Sequence, residues 1–577
     1  MEMTLKRILV VDNDPDVLDS VRYNLRSAGY EVVTANCPDE ARQQLACEIV
    51  HLAVIDIRLE DERRREDHSG FDVAQKVPDY IPCVIFTAYE NTDNLRKALG
   101  EVGAKASLDK KDPLAASKLV DIVDECFASV VKVNFALKIE GTLDLNRVAS
   151  QIEVPRSDEN LRPSALDVRQ ILQTLFHDAQ AVYATLLLSA QQAPTFTQAG
   201  SLLIRARARY EHAWGAPVVV KFSAREEIES EAKNYHYIKR YLGGQRLPVL
   251  REENGVAYSR QLGGLVYTLI GAQNWESICE FGQIYREHET ERVIDLLKRF
   301  FRQTFGALFE DATRQPLNLT TSYTDALRLT PEKLRRAVQE VHPDGLREPT
   351  LRFNGLSAIA NSAIANSAIA NSAIANSAIA NSAIANSAIA NKDVPNPIMW
   401  ALPDNKFRTF NTFSRQCLCH GDLHNKNMLV DGEGHFWLID FARVAESHAL
   451  RDFAELESDI KFNLLSVVDL KDLFVFEQAL LTPTHSQDAY PNISFGNPHL
   501  DHAYRVVAAL RRIAYDLIRL DGDMREYYQA LFWHTLNIIR LRHITPQKKE
   551  HALLSAALIC QRLEEWPKWH LPANGLG

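Results

Sequence analysis

From Lys6 to about Ala128, short apolar runs alternate with segments that carry apolar residues at helical spacing. The runs are Arg7 to Val11, His51 to Ile55, Ile81 to Phe86 and Ala106 to Leu108. Regular alternation of strands with amphipathic helices is typical of an α/β fold with a doubly wound parallel sheet. The pattern therefore predicts such a domain over residues 1–128.

Polar residues follow each of these runs. They are Asp12, Asn13 and Asp14 after the first run, Asp56 after the second, Thr87 after the third and Lys110 after the fourth. Doubly wound sheets form their sites beyond the carboxyl ends of the strands, where these residues are expected to meet. Carboxylate and amide oxygens there suit Mg²⁺, and the Asp56 carboxylate suits attack on a phosphoryl group. Thr87 and Lys110 suit contacts with the phosphoryl oxygens.

This set of residues resembles the active site of the receiver domain of two-component response regulators. The resemblance implies that a sensor histidine kinase or a phosphotransfer protein phosphorylates Asp56. The chain departs from the usual receiver residues at Asn13, in the long charged loop Glu60 to His68, at Ser107 and at Lys111. An inert receiver-like fold is the alternative interpretation.

Residues 129–192 carry no evident chemistry. Val131 to Ile139 predicts one strand, and a helix is predicted over roughly Ala165 to Ser189. We interpret this part as a coupling segment.

Residues 193–272 predict a small lobe of strands and one helix. Between Ser201 and Phe222, two apolar strands flank a turn, and Lys221 lies near the end of the second strand. The helix that follows has an apolar stripe that includes Glu231. A carboxylate on a buried face needs a partner, and Lys221 is the natural candidate. A solvated strand end is the alternative for Lys221.

The last part of this lobe predicts a β-hairpin. Val256 to Gln261 and Leu265 to Ile270 form its strands, and Gly263-Gly264 forms its turn.

A second hairpin is predicted between Cys417 and Arg443. Its strands are Met428 to Val430 and His435 to Ile439, joined by a turn with two glycines. Antiparallel pairing brings Asn427 and Asp440 to one end, into which the loop carrying Asp422 leads. An acid on a loop, an amide five residues later and a second acid at a strand end are the groups that phosphoryl transfer uses. A glycine-rich hairpin with surface carboxylates is the alternative.

The stretch His420-Gly421-Asp422-Leu423-His424, with Asn427 and Ile439-Asp440-Phe441, resembles the core of the aminoglycoside phosphotransferase and choline kinase group, relatives of the protein kinases. The resemblance implies an α+β bilobal kinase-like domain that binds Mg²⁺ and ATP. Asp422 would accept or orient the hydroxyl proton, Asn427 and Asp440 would hold Mg²⁺, and Lys221, positioned by Glu231, would reach the nucleotide phosphates. Gly271 would be a hinge beside the adenine. Only Gly200-Ser201 precedes the first strand, so the loop that covers the phosphates is poorly matched.

Residues 273–577 predict a large helical C-lobe. The pentapeptide SAIAN occurs seven times from Ser357 to Asn391, which predicts a low-complexity insert whose deletion leaves the fold intact.

Asp452 either caps a helix that starts near Arg451 or braces the loop of Asp422. Further helices are predicted over Tyr504 to Leu520 and Met524 to Arg542.

Composition narrows the class of protein. The 577-residue chain suggests three or four units, with 46% hydrophobic and 24% charged residues. Its net charge is -10 and no basic stripe stands out, so nucleic-acid binding is not indicated. No apolar run approaches the length of a membrane span and no leader precedes the first strand, so we expect a cytoplasmic protein. The eight scattered cysteines are expected to be reduced thiols.

These features favour a phosphorelay response regulator whose output domain is a Mg-ATP-dependent phosphotransferase with an unknown hydroxyl acceptor. One alternative is a nucleotide-binding pseudokinase that serves as a scaffold for signalling partners. Another is a protein kinase acting on serine or threonine, against which the His-Gly-Asp form of the loop counts.

Overall fold

The computed structural model describes residues 5–60, 67–89, 91–152, 154, 162–187, 201–241, 248–251, 253–269, 278–310, 312–342, 348–353, 394–401, 411–466, 468–519, 522–541 and 544–566. The chain divides into two compact units, of which unit 1 comprises 1–233 and 248–270 and unit 2 comprises 234–247 and 271–577. Gly200, Gly271 and the repeats from Ser357 to Asn391 lie outside the described residues.

Unit 1 begins with a parallel five-stranded sheet. Its strands are Arg7–Val11 (β1), Glu31–Ala35 (β2), Leu52–Ile55 (β3), Cys83–Thr87 (β4) and Ala106–Asp109 (β5), in the order β2-β1-β3-β4-β5. Its helices are Pro15–Ser27 (α1), Pro38–Cys47 (α2), Ser69–Ala74 (α3), Thr92–Arg96 (α4), which a π-helical turn at Lys97–Glu101 extends, and Ala115–Ser129 (α5). Hydrophobic clusters cover both faces of the sheet. The predicted α/β domain is confirmed.

The sequence pattern missed β2. In Glu31–Ala35 only Val32 and Ala35 are buried, because the strand lies at an edge of the sheet and pairs with β1 alone. An edge strand needs no continuous apolar run.

A second sheet of unit 1 has seven strands. They are Lys138–Gly141 (β6), Ala181–Leu186 (β7), Leu202–Arg209 (β8), Val218–Ala224 (β9), Pro248–Leu250 (β10), Val256–Ser259 (β11) and Leu262–Leu269 (β12). The order is β10-β12-β9-β8-β7-β6, with β11 paired to β12. Three helices belong to this part of the chain: Leu145–Gln151 (α6), Ala165–Leu175 (α7) and Arg225–Ile238 (α8).

The predictions for residues 129–192 need correction. β6 and β7 extend the second sheet, so these residues are not merely a coupling segment. The strand predicted over Val131 to Ile139 is wrong for residues 131–137, which form no strand. In this stretch Asn134 donates from its backbone N to Gln173 O and from Nδ2 to Ala179 O. The helix predicted to Ser189 ends at Leu175, and Ala181–Leu186 is instead a strand that pairs with β6 and β8.

The turn predicted at Gly263-Gly264 is also wrong. The chain turns at Arg260, whose φ is +52°, and both glycines lie within β12. A Cβ on Gly263 would lie 2.8 Å from Ile228 Cβ, and one on Gly264 would lie 2.4 Å from Ile171 Cγ2. Glycine is needed here because α8 and α7 pack directly on the strand.

Within unit 1 the first sheet's domain contacts the second sheet. Arg260 donates from Nη1 to Cys47 O at 2.9 Å and from Nε to Asp167 Oδ1 at 2.7 Å. His51 Nδ1 accepts the backbone N–H of Arg7, so Nε2 carries the proton and donates to Gln170 Oε1 at 3.1 Å. Burial lowers the pKa of His51 to about 4, which keeps the ring in this neutral form.

Unit 2 contains short strands and many helices. The strands are Cys279–Glu280 (β13), Thr313–Asn318 (β14), Thr350–Leu351 (β15), Val394–Pro395 (β16), Asn411–Cys419 (β17), Met428–Val430 (β18), Phe436–Leu438 (β19) and Ala445–His448 (β20). They form the antiparallel sheets β13-β18-β19, β14-β17-β20 and β15-β16. The helices are Phe281–Glu287, Thr290–Arg299, Gly306–Glu310, Leu319–Ala326, Pro331–Val341, Pro397–Ala401, Arg451–Asp459, Leu470–Leu480, Pro498–Ile518, Arg525–Arg540 and Pro546–Glu564, with tighter or wider turns at Phe300–Thr304, Phe441–Arg443 and Ile460–Leu464.

The helix Arg525–Arg540 lies in the core of unit 2, with every residue from Tyr527 to Ile539 buried. It and the helix Pro498–Ile518 confirm the two helices predicted in this region. Among the residues described, no helix has both the length and the apolar character that crossing a membrane requires. All eight cysteines are free thiols, as predicted.

Candidate functional sites

The first candidate site lies at the carboxyl ends of β1, β3 and β5. Lys110 Nζ lies 2.5 Å from Asp12 Oδ2 and 2.7 Å from Asp56 Oδ2, and both carboxylates are buried. Burial alone would lower the pKa of Lys110, but the charges of Asp56 and Asp12 outweigh it and raise the pKa. Burial raises the pKa of Asp12, against the opposing charge of Lys110. Three of the predicted residues thus meet, with a fixed positive charge beside the two acids.

The other predicted residues of this site have different surroundings. Asp14 caps α1, accepting from Asp16 N at 2.9 Å, so its carboxylate serves the helix. Asn13 Oδ1 is buried and has no hydrogen-bond donor among the described residues. Thr87 is fully buried, and its hydroxyl accepts from Tyr89 N at 3.2 Å. The oxygens of Asp12, Asn13 and Asp56 form a donor set that fits Mg²⁺.

Gly70 is a residue of this site that sequence reasoning missed. A Cβ at this position would lie 1.7 Å from the carbonyl oxygen of Asp56, so α3 packs directly on the backbone that carries the acid. No feature of the sequence points to it, because the close approach depends on how α3 packs on the sheet.

The second candidate site is the predicted ion pair of unit 1. Lys221 Nζ donates to Glu231 Oε2 at 2.7 Å, and both side chains are buried. The predicted pairing is confirmed, and a solvated strand end is excluded. Tyr267 lies on β12, and its hydroxyl donates to Glu231 Oε1 at 2.5 Å. The sequence did not point to this residue. The pair is therefore held by two strands and a helix.

The third candidate site is the hairpin of β18 and β19 in unit 2. Met428 pairs with Leu438, and Ile439 N donates to Asn427 O at 3.1 Å, so Asp440 follows beside Asn427. Asn427 Nδ2 in turn donates to Asp422 O at 2.8 Å. Asp422, Asn427 and Asp440 are all buried, which excludes a hairpin with surface carboxylates. The predicted convergence of the three residues is confirmed.

The backbone of this site is constrained at two points. Asp440 has a left-handed conformation with φ +72°, which is uncommon for a residue with a side chain, just before the turn Phe441–Arg443. Gly421 has φ +78°, and a Cβ there would lie 2.3 Å from Arg443 O. Strained backbone of this kind persists where the surroundings enforce it.

The two oxygens of Asp422 have different surroundings. Oδ1 accepts from Arg443 Nη1 at 3.2 Å. Oδ2 is buried and accepts no hydrogen bond from the described residues. His424 Nε2 lies 3.9 Å from Oδ2, beyond hydrogen-bond distance.

His420 links the loop of Asp422 to the end of β19. Its Nε2 lies 3.0 Å from Ile439 O and must carry a proton to donate to that carbonyl. Burial lowers the pKa of His420, so the ring is neutral.

Carboxylates of the helix Arg451–Asp459 brace the same loop. Asp452 accepts from His420 N at 2.7 Å and Gly421 N at 2.8 Å, while the residue that caps the helix is Leu450. Of the two roles left open for Asp452, the brace is therefore correct. Two further bonds of this kind run from Leu423 N to Glu455 at 3.2 Å and from Asn425 N to Asp459 at 2.7 Å.

Glu455 and Asp459 were missed by sequence reasoning, although acids at positions three and seven after Asp452 share one helix face. Burial and the charge of Asp422 raise the pKa of Glu455 to about 8. This carboxyl is therefore mostly protonated at neutral pH.

Two family models match the chain. The model of the Ternary complex associated domain 9 matches residues 197–390 and 386–540, more than half of the chain. The chain belongs to the Ternary complex associated domain 9 family. The response regulator receiver model matches residues 8–124, and this N-terminal part is a receiver domain. The Ternary complex associated domain 9 match begins within the second sheet's part of the chain and includes the hairpin of Asp422, Asn427 and Asp440.

Relatives with curated descriptions match through the receiver domain. The alkaline phosphatase synthesis transcriptional regulatory protein PhoP of Bacillus subtilis is 39% identical over 109 residues, which are 18% of this chain and 42% of PhoP. The response regulator SaeR of Staphylococcus epidermidis is 28% identical over 139 residues, 24% of this chain and 56% of SaeR. The chain thus spans about half the length of these relatives. A solved receiver domain protein from Methanospirillum hungatei JF-1 is 30% identical, with a TM-score of 0.19, and the match covers 22% of this chain and 95% of that one.

Proposed function

We propose that the chain is a phosphorelay response regulator whose receiver controls a Mg-ATP-dependent phosphotransferase in its Ternary complex associated domain 9 region. Phosphorylation at Asp56 supplies the control, and a hydroxyl compound is the acceptor. The observation that carries the enzymatic part is the convergence of buried Asp422, Asn427 and Asp440 on one hairpin end. The proposed setting is cytoplasmic.

In the proposed reaction the acceptor hydroxyl loses its proton to Asp422 Oδ2, the oxygen that has no donor among the described residues. The acceptor oxygen forms a bond to the γ-phosphorus of ATP, the bond between that phosphorus and the β,γ-bridging oxygen breaks, and ADP leaves with the electron pair. Asn427 and Asp440 would hold Mg²⁺, which neutralises the phosphate charge when bound. Asp452, Glu455 and Asp459 keep the loop of Asp422 in position.

Lys221 is assigned to the nucleotide phosphates in this proposal. Glu231 accepts a hydrogen bond from Lys221, and Tyr267 in turn donates to Glu231, which positions the lysine. Kinase-like enzymes use a strand lysine and a helix glutamate in this way.

The receiver reaction is a separate step. A cognate histidine kinase or phosphotransfer protein donates the phosphoryl group, so that the phosphorus–nitrogen bond of its phosphohistidine breaks and a bond to an Asp56 oxygen forms. Lys110, already 2.7 Å from Asp56, would pair with the new negative charge. Asp12 and Asn13 complete an oxygen set for Mg²⁺.

Acetyl phosphate labelling and nucleotide binding test the two sites separately. Asp56→Ala should abolish labelling and leave the affinity for Mg-ATP unchanged. Lys221→Met should weaken Mg-ATP binding and leave labelling intact. The proposal of two sites fails if Asp56→Ala removes both properties.

A scaffold that binds nucleotide without turning it over is the second candidate. Two observations favour it: the family takes its name from ternary complexes, and Arg443 occupies Asp422 Oδ1. A scaffold would bind Mg-ATP and leave it uncleaved with every acceptor, and Asp422→Asn would leave its partner binding unchanged.

A further inference from the structure

An arginine contacts the proposed base of the reaction. Arg443 Nη1 donates to Asp422 Oδ1 at 3.2 Å, yet 39% of the Arg443 side chain is exposed while Asp422 is almost fully buried. The close approach of Arg443 O to Gly421 fixes the backbone of Arg443 beside the loop. A guanidinium with five N–H donors thus stands at the acid, partly open to solvent.

Two more arginines add positive charge to this region. Arg540 donates from Nη2 to Leu327 O at 3.3 Å, which puts it beside Arg328. Its other hydrogen bond goes from Nε to Asn537 Oδ1, so both partners are neutral. Burial first, and then the charges of Arg443 and Arg328, lower the pKa of Arg540. In the described part of the chain, neither Arg328 nor Arg540 forms an ion pair.

Acids also lie in this region. The Asp452 carboxylate accepts two backbone N–H groups, and Glu455 is mostly protonated at neutral pH. Asp422 is the acid that Arg443 contacts. Arg443 therefore brings a positive charge to Asp422, and Arg540 lies close enough to Arg443 and Arg328 for their charges to lower its pKa.

We propose that the acceptor is a small anionic hydroxyl compound, whose phosphate or carboxylate group binds Arg443 while its hydroxyl lies at Asp422. This inference rests on the proposed phosphotransferase function and names its substrate class. An arginine binds carboxylate and phosphate groups through two parallel N–H bonds, which would set the distance between the anion and the reacting hydroxyl. Arg328 and Arg540 strengthen the positive potential. Cationic acceptors such as amino sugars or choline are disfavoured by the same charge.

A matched acceptor series tests the inference. Mg-ATP turnover is measured with glycerol, glycerol 3-phosphate, glycerate and choline, using the full chain loaded with acetyl phosphate. The protein should phosphorylate glycerol 3-phosphate or glycerate faster than glycerol or choline. Comparing glycerol 3-phosphate with glycerate shows whether the site requires a phosphate or a carboxylate. Arg443→Gln should raise KM for the anionic acceptor about tenfold or more with a smaller change in kcat. Arg443→Lys, which keeps the charge, should recover part of this loss.

Arg505→Gln is the control, because Arg505 is also an exposed arginine of unit 2 paired with a carboxylate, that of Glu291. Preference for glycerol or choline would overturn the inference and leave the phosphotransferase standing. If no acceptor is phosphorylated, direct binding of glycerol 3-phosphate decides. If glycerol 3-phosphate binds the wild type and the Arg505→Gln variant but not the Arg443→Gln variant, the anion site is supported and the phosphotransferase activity is not. No binding to the wild type overturns the inference.

Discussion

A lysine stays charged in a protein interior only when an acid meets it there, and Lys221 with Glu231 shows how far residue types alone can predict such a pair. Glu231 lies on the apolar stripe of its helix, so a partner was required, and the preceding strand offered Lys221. Tyr267 was out of reach of this reasoning, because its contact depends on β12 lying beside β9.

Loss of the acid should be costly. Glu231→Gln leaves Lys221 buried without its counter-charge and should lower the free energy of unfolding by roughly 3–5 kcal/mol, measured by urea denaturation. The control is Glu229→Gln on the same helix, whose partly exposed pair with Arg225 should contribute at most about 1 kcal/mol. Equal losses in the two variants would show that the buried pair is not a special source of stability.

Glu455 gives a prediction in pH. Its pKa is about 8 in the folded chain and near 4.3 when unfolded, so between these values the folded state holds a proton that the unfolded state releases. The contribution of Glu455 to the free energy of unfolding therefore falls as pH rises from about 4.3 to 8. Glu455→Gln keeps an oxygen for Leu423 N and removes this dependence. Its stability relative to wild type should increase over that range, as followed by thermal unfolding at several pH values; a constant difference would contradict the assigned pKa.

At the scale of elements, local pattern predicted the type of most segments and failed where tertiary contacts decide. Two adjacent glycines predicted a turn, but they lie in β12 under Ile228 and Ile171, which no local signal reveals. The helix from Ala165 was predicted too long because most of residues 181–186 are also apolar, and their pairing with β6 and β8 has no local signal. The acids of the helix Arg451–Asp459 were visible as a series, but their backbone partners required the fold.

The turn at Arg260 supplies part of the contact between the receiver domain and the second sheet's part of the chain. Arg260 joins Asp167 of α7 to Cys47 at the end of α2, and His51 joins Gln170. Arg260→Ala should leave Asp56 labelling intact and make amide hydrogen exchange around Cys47 to His51 roughly tenfold faster, since hydrogen bonds to charged groups are worth about 1.5–3 kcal/mol.

Arg207→Ala is the comparison for this experiment, because Arg207 is an exposed arginine of β8 that bonds Gly215 O. It should leave the exchange of the receiver unchanged. Exchange that is the same in the Arg260 variant and the wild type would mean that this turn does not hold the contact.

For the whole molecule, the residues that carry chemistry were more predictable than the architecture around them. Asp56 and Lys110, at strand ends, come together as predicted, and so do Asn427 and Asp440 at the end of the hairpin with Asp422 on its loop. Strand ends have fixed neighbours in a sheet, so spacing in sequence converts directly into proximity. The seven-stranded sheet could not be predicted in the same way, because β6 and β7 join it from a segment that shows no chemistry.

The central claim is that the receiver domain controls the activity of an enzyme whose catalytic base is Asp422. It is tested most directly by measuring Mg-ATP turnover of wild type and Asp422→Asn, each with and without acetyl phosphate, in the presence of glycerol 3-phosphate and glycerate. We predict turnover that changes when Asp56 is phosphorylated and that Asp422→Asn reduces by at least about a hundredfold, the lower range for loss of a general base. Turnover that either acetyl phosphate or Asp422→Asn leaves unchanged, or Mg-ATP that is bound and never cleaved, would contradict the claim.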